Sequence, residues 1–418
     1  MRGGLVAMAA AFGVFVGGAG QAVAVEWAVE GAEGLTAYRM APGAIAVRGA
    51  GGSADGPLLK AGASTYTDSI GPREKKYYTV ELDGQSSAYV SAVAVPAPGA
   101  TMGLRDGIDV SLQAADGTSC GPGRHRSFLS AGGAYPVADY AERIVKAGGA
   151  CGAAGVYRFV VERGDADGGD GSPVPVELKY VAEPAQKGDS DGPTAPGAWS
   201  SQAPSKPPQG EGEHITGGTG FNDAAEVRAG LWKDELRPGE TRFYRVSVDA
   251  GEQLFADAEF GQSPGAGPFV VSGVRVGLSN AARGYVMNRT GPYQGKPATV
   301  SLATPPAAYG SGGGGEAARG MRFAGWYYLQ VSLNPKVRQG TRGGGVPVTL
   351  HVDVAGARKA DQGRGKAQDG GAGSELVAAT GGRRDEWMRI IGYAGIGTGS
   401  ALLAGLGAWM LIARRRDG

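Results

Sequence analysis

Apolar and polar residues alternate with a period of two through much of the chain. In Lys76-Tyr77-Tyr78-Thr79-Val80-Glu81-Leu82, Tyr78, Val80 and Leu82 point one way, and Tyr77, Thr79 and Glu81 the other. Arg242-Phe243-Tyr244-Arg245-Val246-Ser247-Val248 repeats the pattern with Tyr244, Val246 and Val248 inward. Such runs, bounded by turn residues like Asp83-Gly84 and Pro238-Gly239, predict half-buried antiparallel strands. Helical amphipathicity shows in one window, Pro136 to Lys146. Strands with one wet face must close over a shared core, so the pattern predicts two-sheet sandwiches.

These two runs belong to a longer internal repeat. At the same offset of 166, Ala88-Tyr89-Val90-Ser91-Ala92 meets Leu254-Phe255-Ala256-Asp257-Ala258, and Gly107 to Leu112 meets Gly273 to Leu278. Tyr66 and Asp68 meet Trp232 and Asp234. Downstream the offset drifts to 170, where Gly155-Val156-Tyr157 meets Gly325-Trp326-Tyr327, and to 172, where Val174-Pro175-Val176 meets Val346-Pro347-Val348. A drift in one direction is what loop insertions leave in a duplicated domain.

Between and beyond the copies the alternation stops. Residues 185–213 hold five prolines and almost no aliphatic side chains, too little apolar area to offset the entropy of ordering, and read as a linker. Residues 356–386, rich in Gly, Lys, Arg and Asp, read as a flexible stalk.

The two ends read as targeting segments. Residues 1–24 have Arg2, an apolar run from Leu5 to Val16, and Ala22-Val23-Ala24 as a cleavage site, the parts of a secretory signal. Ile390 to Ile412 carries no charged side chain and would span roughly 34 Å as a helix, enough for a hydrocarbon core of about 30 Å. Arg414, Arg415 and Arg416 follow it, which marks the cytoplasmic side. The expectation is a cell-membrane protein crossing once at 387–413, with its bulk outside and a tail at 414–418 inside. Gly395 and Gly399 form a GxxxG through which two spans could pack as a homodimer.

The order Asp, turn, Pro, aromatic-Tyr-x-Val-x-aliphatic, second strand, carried by Thr65 to Leu82 and again by Leu231 to Val248, resembles the bacterial pre-peptidase C-terminal domain. The layout is also similar to actinobacterial membrane-anchored ectodomain proteins. The resemblance implies an all-β fold: two tandem jelly-roll-like antiparallel β-sandwiches, to which the C-terminal transmembrane helix is added. The first sandwich, with an N-terminal extension, takes 25–184, and the second 214–355. It also implies a binding or spacer module without catalytic residues, and calcium at the acidic residues that lead into each copy. Asp55 in the first copy, and Asn222 and Asp223 in the second, are the candidate calcium ligands, with turn formation as the competing explanation.

Composition narrows the chemistry. There are 77 Gly and 24 Pro, which argues against a mostly helical chain, and Arg, Ala and Gly bias points to a GC-rich bacterium. Charge is balanced, 41 basic against 40 acidic residues, so no basic field signals nucleic-acid binding. Cys120 and Cys151, the only cysteines, read as one disulfide on the oxidising side, with free thiols or a metal pair as alternatives. Three histidines, His125, His214 and His351, leave general bases scarce, and none has a second histidine at metal spacing. Trp326-Tyr327-Tyr328 could form a sugar-stacking platform, although alternation sends at least one ring into the core. The expected function is non-catalytic cell-surface binding or scaffolding, with an envelope protein or cell-wall glycan as partner. The alternative is a secreted-side hydrolase or carbohydrate-active enzyme.

Overall fold

The computed structural model describes residues 35–128, 135–145, 148–149, 151–183, 199–202, 211–263, 269–308, 315–337 and 345–356. The predicted signal, the apolar run with Gly395 and Gly399, and Arg414, Arg415 and Arg416 lie outside the described residues. Among the described residues no helix is long and apolar enough to cross a membrane.

The first half contributes β1 (Ile45–Ala46), β2 (Leu58–Leu59), β3 (Thr65–Ile70), β4 (Lys75–Leu82) and β5 (Ser87–Ala94). It continues with β6 (Arg105–Gln113), β7 (Arg124–Ser127), β8 (Val137–Arg143), β9 (Gly155–Asp165) and β10 (Val174–Glu183). These form an A sheet of order β1-β3-β10-β5-β8 and a B sheet of order β2-β4-β9-β6-β7. The second half contributes β11 (Glu213–His214), β12 (Ala225–Glu226), β13 (Gly230–Leu236), β14 (Thr241–Val248) and β15 (Glu252–Phe260). Then come β16 (Val270–Ser279), β17 (Tyr285–Tyr293), β18 (Ala298–Ala303), the short helix α1 (Gly315–Gly320), β19 (Gly325–Leu333) and β20 (Val346–Gly356). Its A sheet runs β11-β13-β20-β15-β18 and its B sheet β12-β14-β19-β16-β17. Each strand of the second half takes the place of the strand ten earlier, so the sequence repeat is also a repeat of topology.

Alternation places the inward rows where the sequence predicts them. Tyr78, Val80, Leu82, Phe159 and Leu178 are buried in the first core, and Tyr244, Val246, Val248, Leu329 and Leu350 in the second. Burying each large apolar side chain is worth about 1.5–3 kcal/mol. Three details differ from the sequence reading. The two-residue edge strands β1, β2, β11 and β12 pair in parallel with β3, β4, β13 and β14, so the sheets are not wholly antiparallel. The window with helical character is strand β8, whose period is overridden by pairing with β5 along its length. Strand β5, Ser-Ala-Tyr-Val-Ser-Ala-Val-Ala, is buried on both faces.

That double burial comes from the second sandwich. Val90, Ala92 and Ala94 face the first core, while Tyr89 and Val93 face outward into a seam between the two halves. From the second B sheet Phe243 and Tyr328 meet them, together with Phe221 and Phe323 from loops. Phe221 stacks edge-on against Phe243 at 5.2 Å and Tyr328 at 5.1 Å, and Tyr89 against Phe323 at 4.9 Å. A linker reading expects two sandwiches held apart; the outer faces of the first A sheet and the second B sheet are instead in contact.

Candidate functional site

The repeated Asp and Tyr of the motif build the same clamp twice. In the first sandwich Asp68 accepts hydrogen bonds from Tyr78 Oη at 2.8 Å, Lys76 Nζ at 2.8 Å and the Gly49 N–H at 2.8 Å. In the second, Asp234 accepts from Tyr244 Oη at 2.6 Å and the Gly217 N–H at 2.8 Å. Glycine is required at both turns: a Cβ at 49 would come within 2.7 Å of the Tyr78 ring, and one at 217 within 2.8 Å of the Tyr244 ring. Burial, then the facing carboxylate, pushes both phenols well above their ordinary range. Gly49 and Gly217 therefore serve a structural clamp.

The seam carries polar chemistry as well as rings. Glu177 on β10 is fully buried and pairs with Arg283 of the second sandwich. Asn222 Nδ2 donates to both Glu177 oxygens, at 3.2 and 3.0 Å, and Asn222 Oδ1 accepts from Arg283 at 2.7 Å. The Ala41 N–H donates to Glu177 at 2.8 Å. Arg283 holds a left-handed backbone, φ 61°, to reach this position. Further along, Asp139 on β8 accepts from Arg126 Nε at 2.7 Å and, across the seam, from the Tyr285 N–H at 3.2 Å. Burial pushes the Asp139 carboxyl above its ordinary value, against the pull of Arg126. Arg126 also pairs with Glu316 of α1 and lies 3.8 Å from the Tyr285 ring centroid.

The outer face of the second A sheet is turned away from the seam, and Gln253 on it is covered by the 199–202 segment, where its amide donates to the Ser200 carbonyl. A groove of about 520 Å³ runs along this face, between β11, β13 and the start of β20, lined in part by His214, Lys233, Glu235, Pro347 and Thr349. A cation, a carboxylate, a hydroxyl, an imidazole and a proline ring face one concavity, which suits hydrogen bonding to a polar partner.

Most residues singled out in the sequence stand apart from that groove. Cys120 and Cys151 form the disulfide. Asp55 is exposed in a turn of the first sandwich. The Asn222 side chain is consumed by Glu177 and Arg283, and Asp223 caps its own turn by accepting from the Thr219 and Gly220 N–H groups at 2.9 and 2.8 Å. The candidate calcium ligands are thus not brought together, and no group of three or more His, Cys, Asp or Glu among the described residues could hold a metal ion. His125 meets Asp109 at 3.0 Å on an exposed surface, and His351 meets Glu259 at 3.7 Å. His214 alone of the three lines the groove. Tyr327 is in the second core, Tyr328 is covered by the seam, and Trp326 lies under the Arg245 guanidinium, so the aromatic run offers no open platform.

Two features escape the sequence reading. Gly261-Gln262-Ser263-Pro264-Gly265 has the G-x-S-x-G spacing of a hydrolase nucleophile elbow. Ser263 is buried, its N–H donates to the Gly295 carbonyl at 3.0 Å, and the next element among the described residues is strand β16 rather than the helix an elbow needs. The seam is the second, and its signal was present: β5 has no charged residue on either face.

No protein-family model and no curated protein matches the chain. Among solved structures it is similar to β-sandwich domains. One is the pre-peptidase C-terminal domain of a collagenase from Bacillus anthracis, at 12% identity and TM-score 0.19, covering 30% of this chain and 94% of that one. Another is the tandem CBM22-1-CBM22-2 domain of Xyn10C from Paenibacillus barcinonensis, at 9% identity and TM-score 0.17, covering 70% and 86%. A third is the pair of CBM51 modules of a family 98 glycoside hydrolase from Streptococcus pneumoniae, at 9% identity and TM-score 0.18, covering 68% and 81%. Likeness at these scores carries no functional argument.

Proposed function

We propose that the chain is a non-catalytic binding or scaffolding protein of the cell surface, carried outside the cell by one C-terminal span, with an envelope protein or wall glycan as its partner. The observation that supports binding is the groove on the second A sheet, where Lys233, Glu235, His214 and Thr349 line a concavity that the first sandwich leaves uncovered. The stacked sandwiches turn this face outward as a fixed platform. The charge-free run at 390–412 followed by three arginines supports the anchor.

The test compares the full chain with a groove-filling Thr349→Trp variant. Both are incubated with insoluble wall glycan and, separately, crosslinked in intact membranes. The expected result is capture of the glycan or of one envelope protein by the native chain, lost in a variant of unchanged melting temperature. Equal capture by both would move binding away from the groove, and no capture by the native chain would overturn the binding reading.

A further inference from the structure

Arg275 on β16 points into the seam rather than into water. It is 4% exposed, and its guanidinium lies along the strand over Gly277, where a Cβ would come within 2.6 Å of Nη2. A guanidinium offers five N–H donors. Here Nε is buried without a partner, and Nη1 reaches only Gln330 Oε1, at a long 3.4 Å. No carboxylate among the described residues is within ion-pair distance of it. Nearby Arg126, by contrast, has Asp139 and Glu316. Burial pulls the Arg275 guanidinium below its ordinary value, and the hydroxyls of Tyr135 and Tyr285 are the groups acting on it in return. A buried cation with no counter-charge, one long hydrogen bond and the Tyr135 ring at 5.8 Å is costly, so its retention calls for an anion from elsewhere.

Space for one is present. Arg275 lines a cavity of about 200 Å³ between the two sandwiches, shared with Arg126, Ser279, Tyr285, Asn288 and Gln330. Against the roughly 30 Å³ that one liquid water occupies, this volume admits a molecule of monosaccharide or small organic-acid size. One guanidinium is unneutralised, which matches a single negative charge. A dianionic phosphate would bring a second charge with no cation to meet it, since Arg126 is already paired. The planar donor fork of arginine suits a carboxylate bidentately. The side chains of Ser279, Asn288 and Gln330 add neutral hydrogen-bonding groups around the rest of the cavity.

We propose that the cavity between the sandwiches is a binding site for a small hydroxylated carboxylate, held through its carboxylate by Arg275. The site is separate from the groove on the second A sheet, and it exists only because the two sandwiches are stacked: Arg126 comes from β7 and Arg275 from β16.

Glucuronate, glucose, acetate and inorganic phosphate, each titrated calorimetrically into the full chain, test this. Saturable one-to-one binding of glucuronate with a raised melting temperature is expected, with glucose silent, acetate weaker and phosphate weaker. Arg275→Gln is expected to lose at least tenfold in glucuronate affinity. Asn288→Trp, which fills the cavity and leaves the arginine in place, should lose binding too and guards against misfolding of the first variant. Glucose binding as well as glucuronate, phosphate binding more tightly, unchanged affinity in both variants, or no binding of any carboxylate would each overturn the proposal.

Discussion

Glu177 of the first sandwich and Arg283 of the second form an ion pair in which both side chains are at least nine-tenths removed from water. Asn222 bridges them and the Ala41 N–H completes the carboxylate's shell. An isolated buried charge is strongly unfavourable, so this pair is compatible with one arrangement of the two sandwiches and penalises others that separate its members.

The costs of removing its two members should therefore not add. Arg283→Met or Glu177→Gln alone is expected to destabilise the chain by about 3–5 kcal/mol, because a buried charge or its donors are left behind. The double variant should cost less than the sum of the singles. Urea unfolding of all three against the native chain measures this, and additive costs would show that the pair does not act as a unit.

Close approach at the seam gives a second expectation. A Cβ on Gly284 would fall within the Tyr140 ring, so the second sandwich meets the first through bare backbone there. Gly284→Ala should destabilise by about 1–3 kcal/mol, as overpacking does. Tyr140→Leu in the same chain should recover part of the loss. Thermal unfolding of the single and double variants checks both.

The two clamps lie in different sandwiches and share no partner, so their losses should add. Tyr78→Phe and Tyr244→Phe each remove a hydrogen bond to a partly buried carboxylate, at 2.8 and 2.6 Å. Hydrogen bonds to charged groups contribute about 1.5–3 kcal/mol. Each variant should lose that much by denaturant titration, and the double variant the sum.

Crosslinking of Cys120 to Cys151 closes a separation of 31 residues in the first sandwich. Its loss in Cys120→Ser/Cys151→Ser should cost about 3–4 kcal/mol, following the entropy of a loop of that size. Calorimetric melting of the variant against the native chain measures this, and an unchanged melting temperature would contradict it.

Glu183 supplies a pH dependence with a definite sign. Burial raises its carboxyl above the ordinary value, while Tyr89 Oη, donating at 2.9 Å, pulls it down. The folded state then holds this proton more tightly than the unfolded one, so stability falls as pH rises from the unfolded value through the folded one. Glu183→Gln keeps an acceptor for Tyr89 and cannot ionise. Relative to the native chain it should gain stability between pH 4 and pH 8, read by urea unfolding at both. A difference independent of pH would contradict the assignment.

The two copies differ on their outer faces. Phe243 and Tyr328, which the seam buries, correspond in the first B sheet to Tyr77 and Arg158, both half-buried. Buried Arg275 corresponds to exposed Asp109. In the second A sheet, Glu177 is replaced by Thr349, part of the open groove. Each sandwich keeps the shared core, and the residues that meet in the seam are not repeated on the opposite outer faces.

The inward rows were legible because a strand's faces alternate with every residue, so Tyr78-Val80-Leu82 and Tyr244-Val246-Val248 declare a core without reference to anything distant. The duplication followed for the same reason, since both copies bury the same row. Order within the sheets did not follow, because alternation states which face is buried and not which strand lies alongside. Nor did the seam. Glu177, Asn222 and Arg283 lie 45 and 61 residues apart along the chain, and nothing local distinguishes them from surface residues. Asn222 in particular reads as a turn or metal-binding residue until the first sandwich places a carboxylate against it. Period and composition determined the strands, the paired cysteines and the two copies, all short-range or count-based properties. Which outer faces meet, which charges are buried, and where Arg275 stands without a carboxylate were decided by the packing of one folded copy on the other.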